Sequence, residues 1–373
     1  MKLTLFSNTD WYLYNFRLPL IRALRARGDD VLLISPPGEY HHHLLEEGFN
    51  WISFPLSRSG INIFTEAGAI ARLRRLYQQQ PPDVFVHFTI KCVIYGSLAA
   101  RMIGGRVILN SIDGLGYVFS NQDFKARALR YFVKPLYRLA LNKTSVIFQN
   151  PDDQKLFVQM RMLNAWQGTL IKGVGVDPVK TRPTKKTLGK PLVTFAGRML
   201  YSKGVADFVN AAREIHKKGI DARFLLVGVG DPGNPESISD AQIRAWLEEG
   251  LVEWWGWQED MGKVYDQTDI FCLPSYREGV PRSLMEAAAN GIPLIATDVP
   301  GCREVVRHEE NGLLVPVKDV FALTNALERL IGDERLRQKM GENGQSLVER
   351  EFSTQKVVSE TIKLIDSLHP HKE

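Results

Sequence analysis

The 373-residue chain has only three cysteines, Cys92, Cys272 and Cys302, an odd number set far apart. A disulfide framework needs pairs and a structural zinc site needs closely spaced ligands, so both are excluded and reduced thiols are expected. Long apolar runs are missing too: no stretch reaches the roughly 18 uncharged apolar residues of a membrane-spanning helix. The first residues lack the basic segment, long apolar segment and small-residue cleavage site of a secretory signal. The expectation is a cytoplasmic protein that does not span a membrane. No Asp-x-Asp pair stands at a strand end, and His41, His42 and His43 are consecutive, so on a helix they do not face one another. No metal and no cofactor are therefore assigned. Internal repeats and low-complexity segments are absent as well.

The chain does carry enough apolar residues for packed cores: 44% are hydrophobic and 24% charged, a globular balance. Its net charge is +5, but the cations are scattered and no nucleic-acid-binding module accompanies them, so nucleic acid is not expected as a partner. The length is too great for one ordinary core and favours two domains.

Strand-like runs at 2–7, 30–35, 51–56, 83–88, 106–112, 145–149 and 169–174 alternate with helical patterns at 16–27, 40–47, 63–79, 93–103, 124–142 and 152–162. This alternation predicts a parallel sheet covered on both faces. The polar stretch 181–190 interrupts it and reads as a linker. Strands at 192–196, 223–228, 252–256, 270–274, 293–297 and 313–316 then repeat the pattern. The expected division is a domain at 1–180, the linker, a second domain at 191–353, and a terminal segment at 354–373.

The most informative segment runs from Glu278 through Gly279, Val280, Pro281, Ser283 and Leu284 to Glu286. Pro281 suits the first position of a helix, where its missing N–H costs nothing, and Gly291 and Pro293 supply a stop. Glu278 then lies in the entry loop and Glu286 within the first turns, with the free N–H groups of Arg282, Ser283 and Leu284 between them. Such a helix start holds an anion, and the carboxylates offer acceptors for sugar hydroxyls. The segment follows one apolar strand and precedes another, which places it at the carboxyl edge of a parallel sheet, where open α/β sheets bind ligands.

These residues resemble the retaining glycosyltransferases of family 4, whose signature holds two glutamates at this spacing. The run Gly197, Arg198, Lys203 and Gly204, after the strand at 192–196, is similar to that family's second signature. The resemblance implies a GT-B fold: two Rossmann-like α/β domains with parallel sheets facing across a cleft, and a C-terminal helix, here 354–368, crossing back to the first domain. It also implies that Glu278 binds donor sugar hydroxyls, Glu286 the ribose, and Arg198 with Lys203 the diphosphate of a nucleotide sugar. The chemistry fits: charge grows on the diphosphate as the glycosidic bond breaks, and preorganised cations stabilise it. Arg198 offers a bidentate clamp and Lys203 a compact charge. Gly228, Gly230 and Gly233 match a dinucleotide fingerprint, but Pro232 and Pro235 forbid the helix it must open, so the glycines are read as letting this loop approach the donor.

The first half supplies the acceptor side. The aromatic segment from Asn8 to Arg17, which includes Asn15, suits sugar faces and a lipid head group, or pads an interface. Segments around Lys91 and Asp113 resemble a narrower group within the family that extends polyprenyl-diphosphate-linked sugars in O-antigen, capsule and related glycan assembly. Arg17 and Lys91 are candidates to meet the acceptor diphosphate. Asp113 either orients or deprotonates the acceptor hydroxyl or makes a local turn before Gly114. Where many members hold a histidine, this chain has Phe88; neighbouring His87 points to the other face of its strand and receives no catalytic role. The 124–143 segment mixes Lys125, Arg127, Arg130, Lys134, Arg138 and Lys143 with bulky apolar residues. It either rests on an anionic inner membrane surface as a peripheral anchor or is a helix with a solvated charged face. Two other functions fit the same fold: a non-catalytic sugar-nucleotide or glycan-binding subunit, and a sugar-nucleotide 2-epimerase, whose full acid/base set is not found.

Overall fold

The computed structural model describes residues 1–56, 63–115, 119, 124–177 and 189–369. Most of the expected linker, 181–188, lies outside the described residues, as do the side chains of Lys125 and several neighbours in the 124–132 stretch. The chain divides into two compact units, one of Met1–Val174 with Thr354–Glu373 and the other of Gly175–Ser353.

The first unit holds seven strands: β1 (Lys2–Phe6), β2 (Asp30–Ser35), β3 (Asn50–Ser53), β4 (Val84–Phe88), β5 (Val107–Ile112), β6 (Ser145–Phe148) and β7 (Gly168–Leu170). They lie in the order β3-β2-β1-β4-β5-β6-β7, and every neighbouring pair is parallel. The second unit holds β8 (Leu192–Ala196), β9 (Arg223–Val227), β10 (Glu253–Trp254), β11 (Ile270–Leu273), β12 (Leu294–Thr297) and β13 (Gly312–Val315). Their order is β10-β9-β8-β11-β12-β13, again all parallel. In both sheets the order in which the chain adds strands reverses once, between β1 and β4 and between β8 and β11. A crevice opens at the carboxyl ends of the two strands that flank such a reversal.

The central strands β4, β8 and β11 are fully buried, as their largely apolar sequences require, with His87 of β4 and Thr194 of β8 buried among them. The strands expected at 51–56, 169–174 and 252–256 are shorter than the sequence pattern. Each of these, β3, β7 and β10, is an edge strand with a partner on one side only.

The start of the first helix also differs from expectation. Thr9 caps a turn at Asp10–Tyr12 by accepting from the Tyr12 N–H, a π-helical turn follows at Leu13–Arg17, and the regular helix runs over Leu18–Ala26. Asn15 and Arg17 thus lie in a π-helical turn ahead of the regular helix. The helix Thr354–Leu368 packs within the first unit: Val357 and Ile365 are buried with Leu3, Leu20 and Leu24, and Arg27 pairs with Asp366 at 2.7 Å. All three cysteines are free and buried.

Candidate functional site

In the second unit the loops after β8 and β11 meet at the sheet reversal. Gly204 has φ +74, and a Cβ there would lie 2.0 Å from the Pro274 carbonyl oxygen, so only glycine lets the two loops touch. The Tyr276 N–H donates to the Ser202 carbonyl at 2.8 Å across the same junction. The outcome is that Lys203 Nζ stands 2.5 Å from Glu278 Oε1, with both side chains mostly covered. A third loop, after β12, closes on this pair: Gly301, φ +79, lies so near the Gly279 carbonyl that a Cβ would overlap it. Two residues of opposite charge from separate strand ends are thereby held side by side.

Arg198 follows Gly197 at the end of β8 and donates from Nη1 to Asp231 Oδ2 at 2.6 Å, while 59% of its side chain stays exposed. The Gly228 loop runs beside it, with Gly228 packed on the Gly197 carbonyl and Met199 N–H bonded to Val229 O. The next helix starts only at Asp240, capped by Ser239, so no helix opens at these glycines and a dinucleotide fingerprint is absent. Gly230 itself faces Ser237, whose Oγ would lie 2.9 Å from a Cβ at that position. Val229 and Trp257, 40% and 56% exposed, follow the adjacent strands β9 and β10 and give this edge an apolar, aromatic rim.

Pro281 is the cap of the following helix and not its first residue: its ψ is 119° and the helix covers Arg282–Ala289. The anion-site argument is unaffected, because proline brings no N–H to either position and no side chain that caps the first turn. Val280 and Leu284 are buried anchors of this turn, and Ser283 is half-buried between them. Glu286 is gripped by two donors, the Arg282 Nε at 2.6 Å on Oε1 and the Tyr265 hydroxyl at 2.9 Å on Oε2. Cys302 lies close to Glu278 and Lys203, but burial first, and the Glu278 charge second, push its thiol well above the usual range. It is an inert neighbour, not a nucleophile.

The first unit carries a different arrangement at its own reversal. Asp113, just past β5, accepts on Oδ1 from Arg17 Nη2 at 2.8 Å, Ser111 Oγ at 2.6 Å and Gln149 Nε2 at 2.9 Å, and on Oδ2 from the Tyr12 hydroxyl. Its four partners are side chains from three segments, the 10–17 stretch, the end of β5 and the residue after β6, which is not the pattern of a local turn. Burial opposes its charge, but the Arg17 guanidinium and the Ser111 and Tyr12 hydroxyls hold the carboxyl below its usual range. Arg17 is buried, 4.4 Å above the Phe88 ring, and turns Nε and Nη2 inward to Tyr12, Ser111 and Asp113. The expectation that Arg17 meets an acceptor diphosphate is revised accordingly: its charge is neutralised inside the fold. Lys91 pairs with Glu66 at 2.9 Å, and Asn15 donates to the Trp11 carbonyl. Neither joins the Asp113 network. His87 is fully buried between Tyr77 and Asn110, and desolvation lowers its pKa to about 4, so it is neutral at ordinary pH.

The family described as "Glycosyl transferases group 1" matches residues 190–333, and that described as "Glycosyl transferase 4-like" matches residues 2–150. The N,N'-diacetylbacillosaminyl-diphospho-undecaprenol alpha-1,3-N-acetylgalactosaminyltransferase of Campylobacter jejuni is 30% identical over 357 residues, covering 92% of this chain and 93% of its own. The chain belongs to this glycosyltransferase family. An Escherichia coli UDP-Gal:alpha-D-GlcNAc-diphosphoundecaprenol alpha-1,3-galactosyltransferase is 24% identical, covering 84% of this chain and 83% of its own. Among solved structures, Anabaena HepE in complex with UDP and glucose superposes with a TM-score of 0.79 at 18% identity, covering 98% of this chain and all of its own, which supports the same GT-B fold.

Sequence reasoning about this glycosyltransferase missed Tyr12, Ser111, Gln149, Tyr265 and Asp231. Ser111 and Gln149 had a readable signal, since polar residues at the carboxyl ends of otherwise apolar strands need buried partners. Tyr265 had none, because its partner lies on a separate helix. On the helix Phe124–Leu141, Arg127, Lys134 and Arg138 are exposed, with Tyr131, Leu136 and Leu139 exposed among them at 78%, 44% and 55%. Among the described residues, no helix is long and apolar enough to cross a membrane, and no group of three potential metal ligands occurs.

Proposed function

We propose that this glycosyltransferase moves a hexose or N-acetylhexosamine from a UDP-linked donor to a polyprenyl-diphosphate-linked saccharide, with retention at the anomeric carbon. The observation that carries the reading is the Lys203–Glu278 pair at the sheet reversal, with Arg198, whose side chain is largely exposed, at the end of β8 and the Arg282–Ala289 helix starting just after Glu278. Arg198, Lys203 and the first-turn N–H groups of Ser283 and Leu284 take the diphosphate; Glu278 takes donor sugar hydroxyls, and Glu286 the ribose. Val229 and Trp257 offer the base an apolar edge.

In the reaction the bond between the anomeric carbon and the diphosphate oxygen breaks, and the acceptor oxygen bonds to that carbon on the same face. The acceptor proton passes to the departing diphosphate, so no protein nucleophile is needed. Charge on the leaving group is neutralised by Arg198, Lys203 and backbone donors, and we assign no metal to the step. Within the first unit, Asp113, held ionised, is the candidate contact for the acceptor saccharide. The related enzymes named for undecaprenyl-diphosphate-linked substrates support this acceptor class.

Such an acceptor lies in a membrane, and the helix Phe124–Leu141 gives the enzyme a basic, apolar-studded surface for the inner leaflet. Polybasic contact is worth about 1 kcal/mol per cation near an anionic surface. Replacing Arg127, Arg130 and Lys134 by Glu is expected to abolish flotation with anionic vesicles while leaving transfer to a short-chain soluble acceptor intact. Flotation that ignores both the substitutions and the lipid charge removes the membrane role. For the reaction itself, the test is incubation with labelled UDP-, GDP- and ADP-sugars and a lipid-linked saccharide. Transfer from a UDP-sugar with an α-linked product is expected; donor binding with no transfer to any such acceptor identifies a binding subunit instead.

A further inference from the structure

The Arg282–Ala289 helix leaves one question about Glu286: what keeps its carboxylate in one orientation. A glutamate has three rotatable bonds, and a half-exposed one samples several rotamers unless donors hold it. Here each oxygen has its own donor. Arg282, one helical turn earlier, reaches Oε1 at 2.6 Å, and the Tyr265 hydroxyl, from the helix Met261–Gln267, reaches Oε2 at 2.9 Å. The two donors differ in kind. Arg282 is one-third exposed, whereas the Tyr265 ring is buried and packs against Phe271 at 6.0 Å.

We propose that Tyr265 is a positioning residue of the donor site, which with Arg282 as the second arm locks the Glu286 carboxylate so that it meets a nucleotide's ribose hydroxyls without rearranging. The inference rests on the assignment of Glu286 to the ribose. Burial first, and then the adjacent Glu286 charge, push the Tyr265 phenol well above its usual range, so it remains a proton donor throughout the working pH. A preorganised acceptor loses less side-chain freedom on binding than a mobile one, which converts into affinity. Tyr265 needs no contact with the nucleotide to have this effect.

The experiment is calorimetric titration of the full-length enzyme with UDP and with 2′,3′-dideoxy-UDP, alongside donor kinetics. Tyr265→Phe keeps the ring and its packing and removes only the hydroxyl. The expected result is UDP affinity weaker by about tenfold, the scale of losing one hydrogen bond to a charged group, with donor KM raised in parallel and kcat nearly unchanged. Dideoxy-UDP should bind wild type and Tyr265→Phe alike, because it lacks the hydroxyls that Glu286 is held to receive. In the double variant Tyr265→Phe/Glu286→Gln, affinity should match Glu286→Gln alone, since the two act as one unit. Arg282→Gln, at a one-third-exposed position, should show the same selectivity for UDP over dideoxy-UDP, and it keeps the proposal open to test even if Tyr265→Phe misfolds.

Additive losses in the double variant, equal weakening of both ligands, or a fall in kcat with KM unchanged would each overturn the positioning role. If Glu286→Gln itself leaves UDP binding unaltered, the ribose assignment fails first and takes this inference with it. If Glu286→Gln weakens UDP but Tyr265→Phe and Arg282→Gln do not, only the inference fails.

Discussion

Arg198 and Arg17 each follow the first strand of a unit and each pairs with an aspartate, yet 59% of the Arg198 side chain is exposed against 7% for Arg17. Arg198 reaches Asp231 through one nitrogen, across a loop of turns. Arg17 is stacked on Phe88 and joined to Tyr12, Ser111 and Asp113, which also holds Gln149. An exposed pair exchanges its partner for an incoming anion at small cost, because water already screens it. A buried pair does not, because separating its members leaves an uncompensated charge in a low-dielectric setting. Of these two arginines, Arg198 in the second unit is therefore the one free to exchange its partner for a ligand, whereas Arg17 in the first unit stays with the Asp113 carboxylate.

The largest effect that sharpens this contrast is on stability. Arg17→Met is expected to cost about 3–5 kcal/mol, the scale of breaking a buried pair. Arg198→Met should cost under about 1 kcal/mol. Urea titration of both variants decides it, and equal shifts would dissolve the comparison. For catalysis the ranking reverses: Arg198→Ala should reduce turnover by roughly 10²-fold with the fold intact, and Lys203→Ala, which also leaves the covered Glu278 without its partner, should do so in the protein that remains folded. Near-normal turnover in either purified variant removes that residue from the diphosphate site.

A smaller effect concerns acid. His87, buried in the first unit, has a pKa lowered from 6.5 to about 4. Between these values the unfolded chain binds the proton and the folded chain does not, so the His87 contribution is full above pH 6.5 and is lost as pH falls towards 4. His87→Gln should flatten that part of the melting-temperature profile, and an unchanged acid limb would assign it to other groups. The smallest expected effect is none: treatment with EDTA should leave transfer activity intact, since cations and helix N–H groups of the second unit are proposed to carry the charge. Activity lost on chelation and restored by Mg²⁺ or Mn²⁺ would show that Arg198 and Lys203 do not suffice.

Much of the architecture was legible because the apolar period of a buried parallel strand is a local property. The runs that became β4, β8 and β11 carry it plainly, and the edge strands β3, β7 and β10 carry it beyond the point where pairing ends. Lys203 and Glu278 were legible as residue types at strand ends, though they stand 75 positions apart. Arg17 was misread for a physical reason: a cation among aromatic residues looks the same in sequence whether the aromatics face a ligand or enclose the cation. The π-helical turn at Leu13–Arg17, which carries Arg17 inward, leaves no mark in local propensity.

By itself the sequence determined the two α/β sheets and the residue types at the carboxyl ends of the strands, while the strand order came from the structure. These follow from periodicity and backbone preference, which act over a few residues. The tertiary structure alone decided which charges are paired, which are buried and which remain open to a ligand. Those outcomes depend on contacts between segments far apart in sequence, such as Gly204 on Pro274, Gly301 on Gly279 and Tyr265 on Glu286. Their energies turn on burial, which no local pattern states.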